Sequence, residues 1–335
     1  MDFNILFFIV AFGGGAFAAA IGPQTAFIFT GFAYLFGLSA LLATGGDNAV
    51  AGTFIDVFAF GPVFGPHIAW AGGAAGTAYA AKKGYIETGR AVDMPLAGLA
   101  KVDVLVVAGL WGMLGYVIER VLSIVPALKT NDGNVIGWTD TVALTVVISH
   151  VLARIAYGVK SKKVFGPFTD GKPLRLDDGS HWVEHQEKWR DTIGHSVFSG
   201  LIFAFMSVWL VTHYPDNAMI QGKAFLIGWA ISALTLIFLS CGLKTPVTHH
   251  MTLVAGLGAV ITLQIQTVGG SIGDATMMQM FVAVVVGVIA AVCSGLIGEA
   301  LSRLMNARGD THIDPPALAI FIMTSLLFVV KFIAM

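Results

Sequence analysis

Charged side chains are scarce in this chain. Asp, Glu, Lys and Arg make up 12% of its 335 residues, against roughly a quarter in soluble domains. The formal net charge is −1. There is no basic surplus to attract nucleic acid, and no nucleic-acid partner is expected. Cysteine is also rare. Cys241 and Cys293 stand alone in apolar runs, which excludes a disulfide framework and a cysteine zinc site; buried packing is the expected role of both. No Lys or Arg precedes the first apolar run, MDFNILFFIVAFGGGAFAAAIG. The basic segment of a signal peptide is therefore missing, and this run is expected to be a retained span. Catalytic patterns are missing as well. HWVEH (181–185) has the spelling of an inverted zinc-protease motif, but it lies in a polar stretch with Trp182, Lys188, Trp189 and Arg190. No third ligand follows in a helical context, and an amphipathic helix on the membrane surface is the better reading. Histidine pairs at a haem-sandwiching spacing are absent. No enzyme, metal site or cofactor is expected.

What is present is apolar. Hydrophobic residues make up 56% of the chain and mean hydropathy is +0.80, so lipid is the expected solvent for most of it. A helix needs roughly 20 apolar residues to cross a bilayer core of about 30 Å. Ten candidate spans follow: 3–22, 25–43, 54–82, 103–125, 140–158, 195–213, 223–241, 247–267, 278–303 and 315–335. Lys and Arg are distributed unevenly among their loops. Of nineteen, fifteen fall on one side, three on the other, and Lys331 lies in the last span. Basic loops stay in the cytoplasm, so both termini are expected outside and the basic 159–193 loop inside.

The expected fold is an all-α integral membrane protein of about ten helices in two inverted five-helix repeats, 1–158 and 194–335, joined by the 159–193 loop. Five spans flank that loop on each side, and an odd repeat unit must insert upside down the second time. The halves align in short stretches: TAFIF (25–29) with KAFLI (223–227), His67 with His249, GYVIE (115–119) with GLIGE (295–299), and GWTDTVALTVVI (137–148) with THIDPPALAIFI (311–322). His67 follows Ala26 by 41 positions, and His249 follows Ala224 by only 25. The first half thus carries an insertion at about 44–66, which ends in FGPVFGP. Proline removes a backbone donor and clashes with the preceding turn. Residues 48–66 are therefore expected to form a re-entrant or broken segment whose freed backbone is met by protein or by water in a cavity.

Ionisable groups in a bilayer are costly and mark function by default. Asp56, Gly61, Pro62, Gly65, Pro66, His67, His249 and His250 are the expected substrate- or ion-binding set. Asp56 brings a carboxylate, the Gly-Pro pairs bring free carbonyls, and the histidines titrate near neutral pH. A helix cap or solvated turn is the plainer role for Asp56, and a hydrogen-bonded helix start for the histidines. Glu119 and Glu299 are expected as gating or coupling residues, with interfacial ion pairs to Arg120 and Arg303 as the plainer role. Asp140 and Asp314 read as helix caps. His150 and His195 carry little information.

AAIGPQTAFIFTGF (19–32) and FGPVFGPHIAWAGGAAGTAYAAKKG (60–84) resemble an uncharacterised family of prokaryotic permease-like membrane proteins. The resemblance implies a multi-pass protein of the cell inner membrane and no particular activity. The expected function is secondary transport of a small solute or ion, coupled to protons or sodium. A passive channel is the alternative, and a scaffold subunit docking through 159–193 is a third class. The bilayer and the solute are the expected partners, and a homo-oligomer is compatible with the composition.

Overall fold

Helix starts are written into the chain as capping residues. Asn4 accepts from Leu6 N and Phe7 N at 2.9 and 3.1 Å and opens α1 (Ile5–Ile21). Gly22, at φ +98°, turns the chain directly into α2 (Pro23–Ala43); a side chain at that φ would be strained. The computed structural model describes residues 3–45, 49–129, 135–159, 162–166, 174 and 189–335. The further helices are α3 (Ala49–Gly52, continued by a π-helix over Thr53–Ala59), α4 (Ala69–Lys82), α5 (Val102–Leu122), α6 (Thr141–Tyr157), α7 (Trp189–His213) and α8 (Ala218–Lys223). They are followed by α9 (Leu226–Ser240), α10 (His249–Gln266), α11 (Met277–Leu301, continued by a π-helix over Ser302–Asn306) and α12 (Pro315–Ala334). Two-residue strands, Leu128–Lys129 and Val135–Ile136, pair antiparallel between α5 and α6.

The described chain is helical, and its apolar helices are compatible with a membrane protein. Among the described residues, five helices are long and apolar enough to cross a bilayer: Pro23–Ala43, Val102–Leu122, Trp189–His213, Met277–Asn306 and Pro315–Ala334. Ile5–Ile21, Ala49–Ala59, Thr141–Tyr157 and Leu226–Ser240 are apolar but shorter. Large side chains such as Leu6, Phe36, Phe198, Met277 and Ile333 stand on the outer surface, as lipid-facing positions do. So do Cys241 and Cys293, contrary to the expectation that both are buried. Each sits on the outer side of its helix, where it needs no partner.

Packing follows one plan in both halves. In the first, α5 lies on α1 and α4, α4 on α1 and α6, and α2 stands beside α4. In the second, α11 lies on α7 and α10, α10 on α7 and α12, and α9 stands beside α10. The halves meet along two antiparallel seams. In the seam of α2 with α9, Gln24 Nε2 donates to Ser240 Oγ at 2.7 Å at one end, and Tyr34 OH donates to Lys223 O at 2.7 Å at the other. In the seam of α6 with α12, Ser325 Oγ donates to Thr139 Oγ1 at 2.7 Å, and Asp314 N donates to His150 Nδ1 at 3.3 Å.

The FGPVFGPH stretch breaks helical structure as its prolines require. Helix ends at Ala59 and resumes at Ala69, so 54–82 is not one span. Protein meets the backbone released between them: Thr30 Oγ1 donates to Phe64 O at 2.7 Å, and Phe64 N and Gly65 N donate to Phe58 O and Gly61 O at 3.0 Å. The carbonyl of His67 presses against Gly115 of α5 so closely that a Cβ there would collide with it. HWVEH and most of the 159–193 loop, including the expected amphipathic helix, lie outside the described residues.

That contact gives a test of the packing. Gly115→Ala is expected to lower the thermal stability of the detergent-solubilised protein by about 1–3 kcal/mol, the usual cost of overpacking. Gly98→Ala, whose Cβ meets nothing within 4 Å, is expected to leave the melting temperature unchanged in the same fluorimetric scan.

Candidate functional site

Between the two seams lies a cavity of about 280 Å³. Its wall is aromatic: Phe27, Phe60, Trp70, Phe225 and Trp229. The rings support one another, with centroids 5.6 Å apart for Phe27–Trp70, 5.3 Å for Phe27–Trp229 and 5.4 Å for Phe60–Trp229. Asp140, Lys223, His249 and Asp314 supply its ionisable groups. Its lining is also paired. Asp140 and Asp314, Ala143 and Ala317, Val146 and Ile320, and Phe27 and Phe225 all line the cavity, and each pair occupies matched positions in the alignment of the two halves.

The two ends of the cavity differ. At one end Gly222 is exposed and Lys223, Phe60 and Asp140 are partly so. At the other, Trp70, His249 and Asp314 are buried, at 7%, 5% and 8% exposure, and form a floor. The same three residues roof a smaller space of about 30 Å³, enough for roughly one or two water molecules. Gln24, Val92, His312 and Pro315 bound that space from below.

A polar cluster sits at this floor. Asp314 caps α12, Oδ2 accepting from Ala317 N at 2.8 Å, while Oδ1 lies 3.2 Å from His312 Nε2. The rings of Trp70, His150 and His312 pack edge to face, with centroids 5.2–5.9 Å apart. One turn beyond His150, the fully buried Arg154 donates to Thr311 Oγ1 at 2.9 Å and to the carbonyls of Met305 and Thr311. Sequence reasoning gave His150 little weight and passed over His312 and Arg154. The signal available was proximity in sequence to matched features: His312 is two residues before Asp314, and His150 and Arg154 share one face of α6. Asp140 caps α6, accepting from Ala143 N at 2.8 Å, so the expected capping role of both aspartates holds and both also face the cavity.

The expected site residues are scattered by comparison. Pro66 and His249 line the cavity; Gly61, Pro62 and Gly65 form the broken turn behind it. Asp56 is not in the lining. It is half-exposed and pairs with Lys223 at the open end. His67 is buried within electrostatic reach of Glu119 and Arg120. His250 is buried against α11, and Ser294 Oγ donates to its carbonyl at 3.0 Å. Glu119 and Glu299 lie off the cavity in buried ion pairs. Arg120 and the hydroxyls of Ser123 (2.8 Å) and Thr141 (3.2 Å) meet Glu119, and Arg303 meets Glu299 Oε1 at 2.6–2.7 Å. Breaking such a pair strands a charge. Arg303→Met is expected to destabilise the protein by about 3–5 kcal/mol, and adding Glu299→Gln to recover most of the loss, read by chemical or thermal denaturation in detergent.

No curated protein and no solved structure matches the chain. One family does, and it matches twice, over residues 1–177 and again over residues 168–335. The chain belongs to the family described as Family of unknown function (DUF7973), whose pattern each half of it carries.

Proposed function

We propose that this protein is a secondary transporter of the prokaryotic cytoplasmic membrane, working by alternating access between two inverted five-helix repeats. The first repeat is α1, α2, α4, α5 and α6; the second is α7, α9, α10, α11 and α12; α3 with its π-helix is the insertion. The observation that carries the reading is the cavity lining built from matched pairs of both halves, closed on one side only. Inverted repeats place a shared site at their interface, where rocking of one repeat against the other exposes it to each side in turn. Support also comes from the two seams, in which matched helices run antiparallel, and from the family match to each half. The distribution of Lys and Arg supports an orientation with the floor side in the cytoplasm and both termini outside. In this reading the cavity faces outward, and Trp70, His249 and Asp314 form the closed inner gate. Glu119 and Glu299 hold helices in place beside the site.

The test uses no substrate. In a background with Cys241→Ala and Cys293→Ala, Ala143→Cys in the cavity wall is expected to react with a membrane-impermeant thiol reagent from the outer face only. Met94→Cys, exposed on the loop below the floor, is expected to react from the inner face only. Adding Trp70→Ala to Ala143→Cys removes the largest side chain of the floor and is expected to let inner-face reagent reach the cavity. Reaction of Ala143→Cys from both faces with the floor intact points to a channel and overturns the reading, as does protection from both.

A further inference from the structure

Resting on that transport reading, we propose that the cavity takes a small organic cation, and that this cation and a proton compete for Asp314. The first part follows from the wall. Aromatic faces carry negative quadrupoles and attract cations whose charge is spread over alkyl groups, most strongly when water is excluded. Two carboxylates, Asp140 and Asp314, stand in the same lining. Lys223, the lysine among the lining residues, is neutralised at the open end by Asp56. An anion would meet two like charges and a row of ring faces. An inorganic cation would have to shed its water with few oxygen ligands to replace it, because the wall is mainly hydrocarbon. A cation that carries its own apolar coat meets neither difficulty. At about 280 Å³ the space sits at the small end of ligand pockets.

The second part follows from Asp314. This residue lines the cavity and the small space beneath the floor, and its Oδ1 lies 3.2 Å from His312 Nε2. With the cavity empty, protonated His312 answers the charge of Asp314. A cation in the cavity answers that charge from above, and a second positive charge beside it is then uncompensated. The surroundings sharpen this competition. From α6, His150 and Arg154 face the cluster, and Arg154 is a permanent cation; from α10 comes His249. Asp310 and Arg90 act on Arg154 with opposite sign. The proton on His312 Nε2 leaves to the space below the floor, which His312 itself lines. Charge is conserved at the site: one cation enters as one proton departs. The capping duty of Asp314 does not prevent this, since a carboxylate offers about four acceptor positions and the cap uses one.

The experiment is calorimetric titration of the full-length protein in detergent with tetraethylammonium, with tert-butanol as neutral probe and pivalate as anionic probe. Tetraethylammonium is expected to bind, and the other two to bind at least tenfold more weakly. Its Kd is expected to rise towards tenfold per pH unit as the medium is acidified through the titration of the cluster. Asp314→Asn keeps a side chain able to cap α12; it is expected to keep its melting temperature at alkaline pH, where His312 carries no charge to strand, and to lose tenfold or more in affinity. His312→Gln is expected to keep binding and lose the pH slope. Equal binding of the neutral or anionic probe, full affinity in Asp314→Asn, or a flat pH profile in the unsubstituted protein overturns the proposal. No tetraethylammonium binding, with one-sided thiol reactivity at Ala143→Cys intact, overturns the substrate class and leaves the transport reading standing; failure of the thiol pattern as well removes both.

Discussion

Lipid supplies no hydrogen-bond partners, so every point at which this chain leaves helical structure inside the bundle must be closed by the bundle itself. Two such points set the architecture. At 60–68 the Gly-Pro pairs force the chain out of helix, and Thr30 from α2 meets the carbonyl that is freed. At 307–313 the chain turns from α11 and its π-helix into α12, and Arg154 reaches from α6 to take up the carbonyl of Thr311 on that turn and that of Met305 just before it. Asn306 Oδ1 accepts from Ile313 N at 3.1 Å, and Gly89 exchanges backbone bonds with Asp310 and His312. Each closure draws on another helix, and the second, from α6 to the turn before α12, fixes a seam as well as a turn.

The cavity follows from these closures. The first half stops α4 short at Ala69, and the second starts α10 at His249, so two helix starts approach one level from opposite directions. Neither fills the space between the seams. Aromatic rings from α2, α4 and α9 line what is left, and the aspartates that open α6 and α12 reach into it. A carboxylate at a helix N-terminus is held by backbone N–H groups and by the helix dipole. Asp140 and Asp314 therefore keep their place without a cationic partner in the cavity.

Some of this was legible in the residues. Apolar runs gave the helices to within a few residues for α1, α2, α5, α6 and α12, because hydropathy and capping are local properties. The break before His67 was legible for the same reason, since proline acts on its own neighbours. The matched stretches 137–148 and 311–322 were also legible, and the structure gives their shared spacing a meaning: every third residue of both, starting at the aspartate, faces the cavity. Asp56 lies at the rim and outside the lining. It stands beside a break in an apolar run, and hydropathy does not distinguish the rim of a cavity from its interior. Glu119 and Glu299 drew attention as charges in apolar helices, yet each is answered by an arginine one or four positions away, which is what the spacing itself suggested.

The sequence alone determined that the chain is helical and strongly apolar, where several helices begin, and that the two halves share short patterns. These follow from side-chain hydropathy, proline geometry and capping, which act within a few residues. Only the tertiary structure decided which ionisable groups meet. Asp314 and His312 are neighbours in the chain, but the approach of His150, Arg154 and His249 depends on how α6, α10 and α12 pack. The aromatic wall likewise assembles rings from both halves, about two hundred positions apart. Contacts of that range are set by packing between faces, and the composition and periodicity of each helix do not encode them.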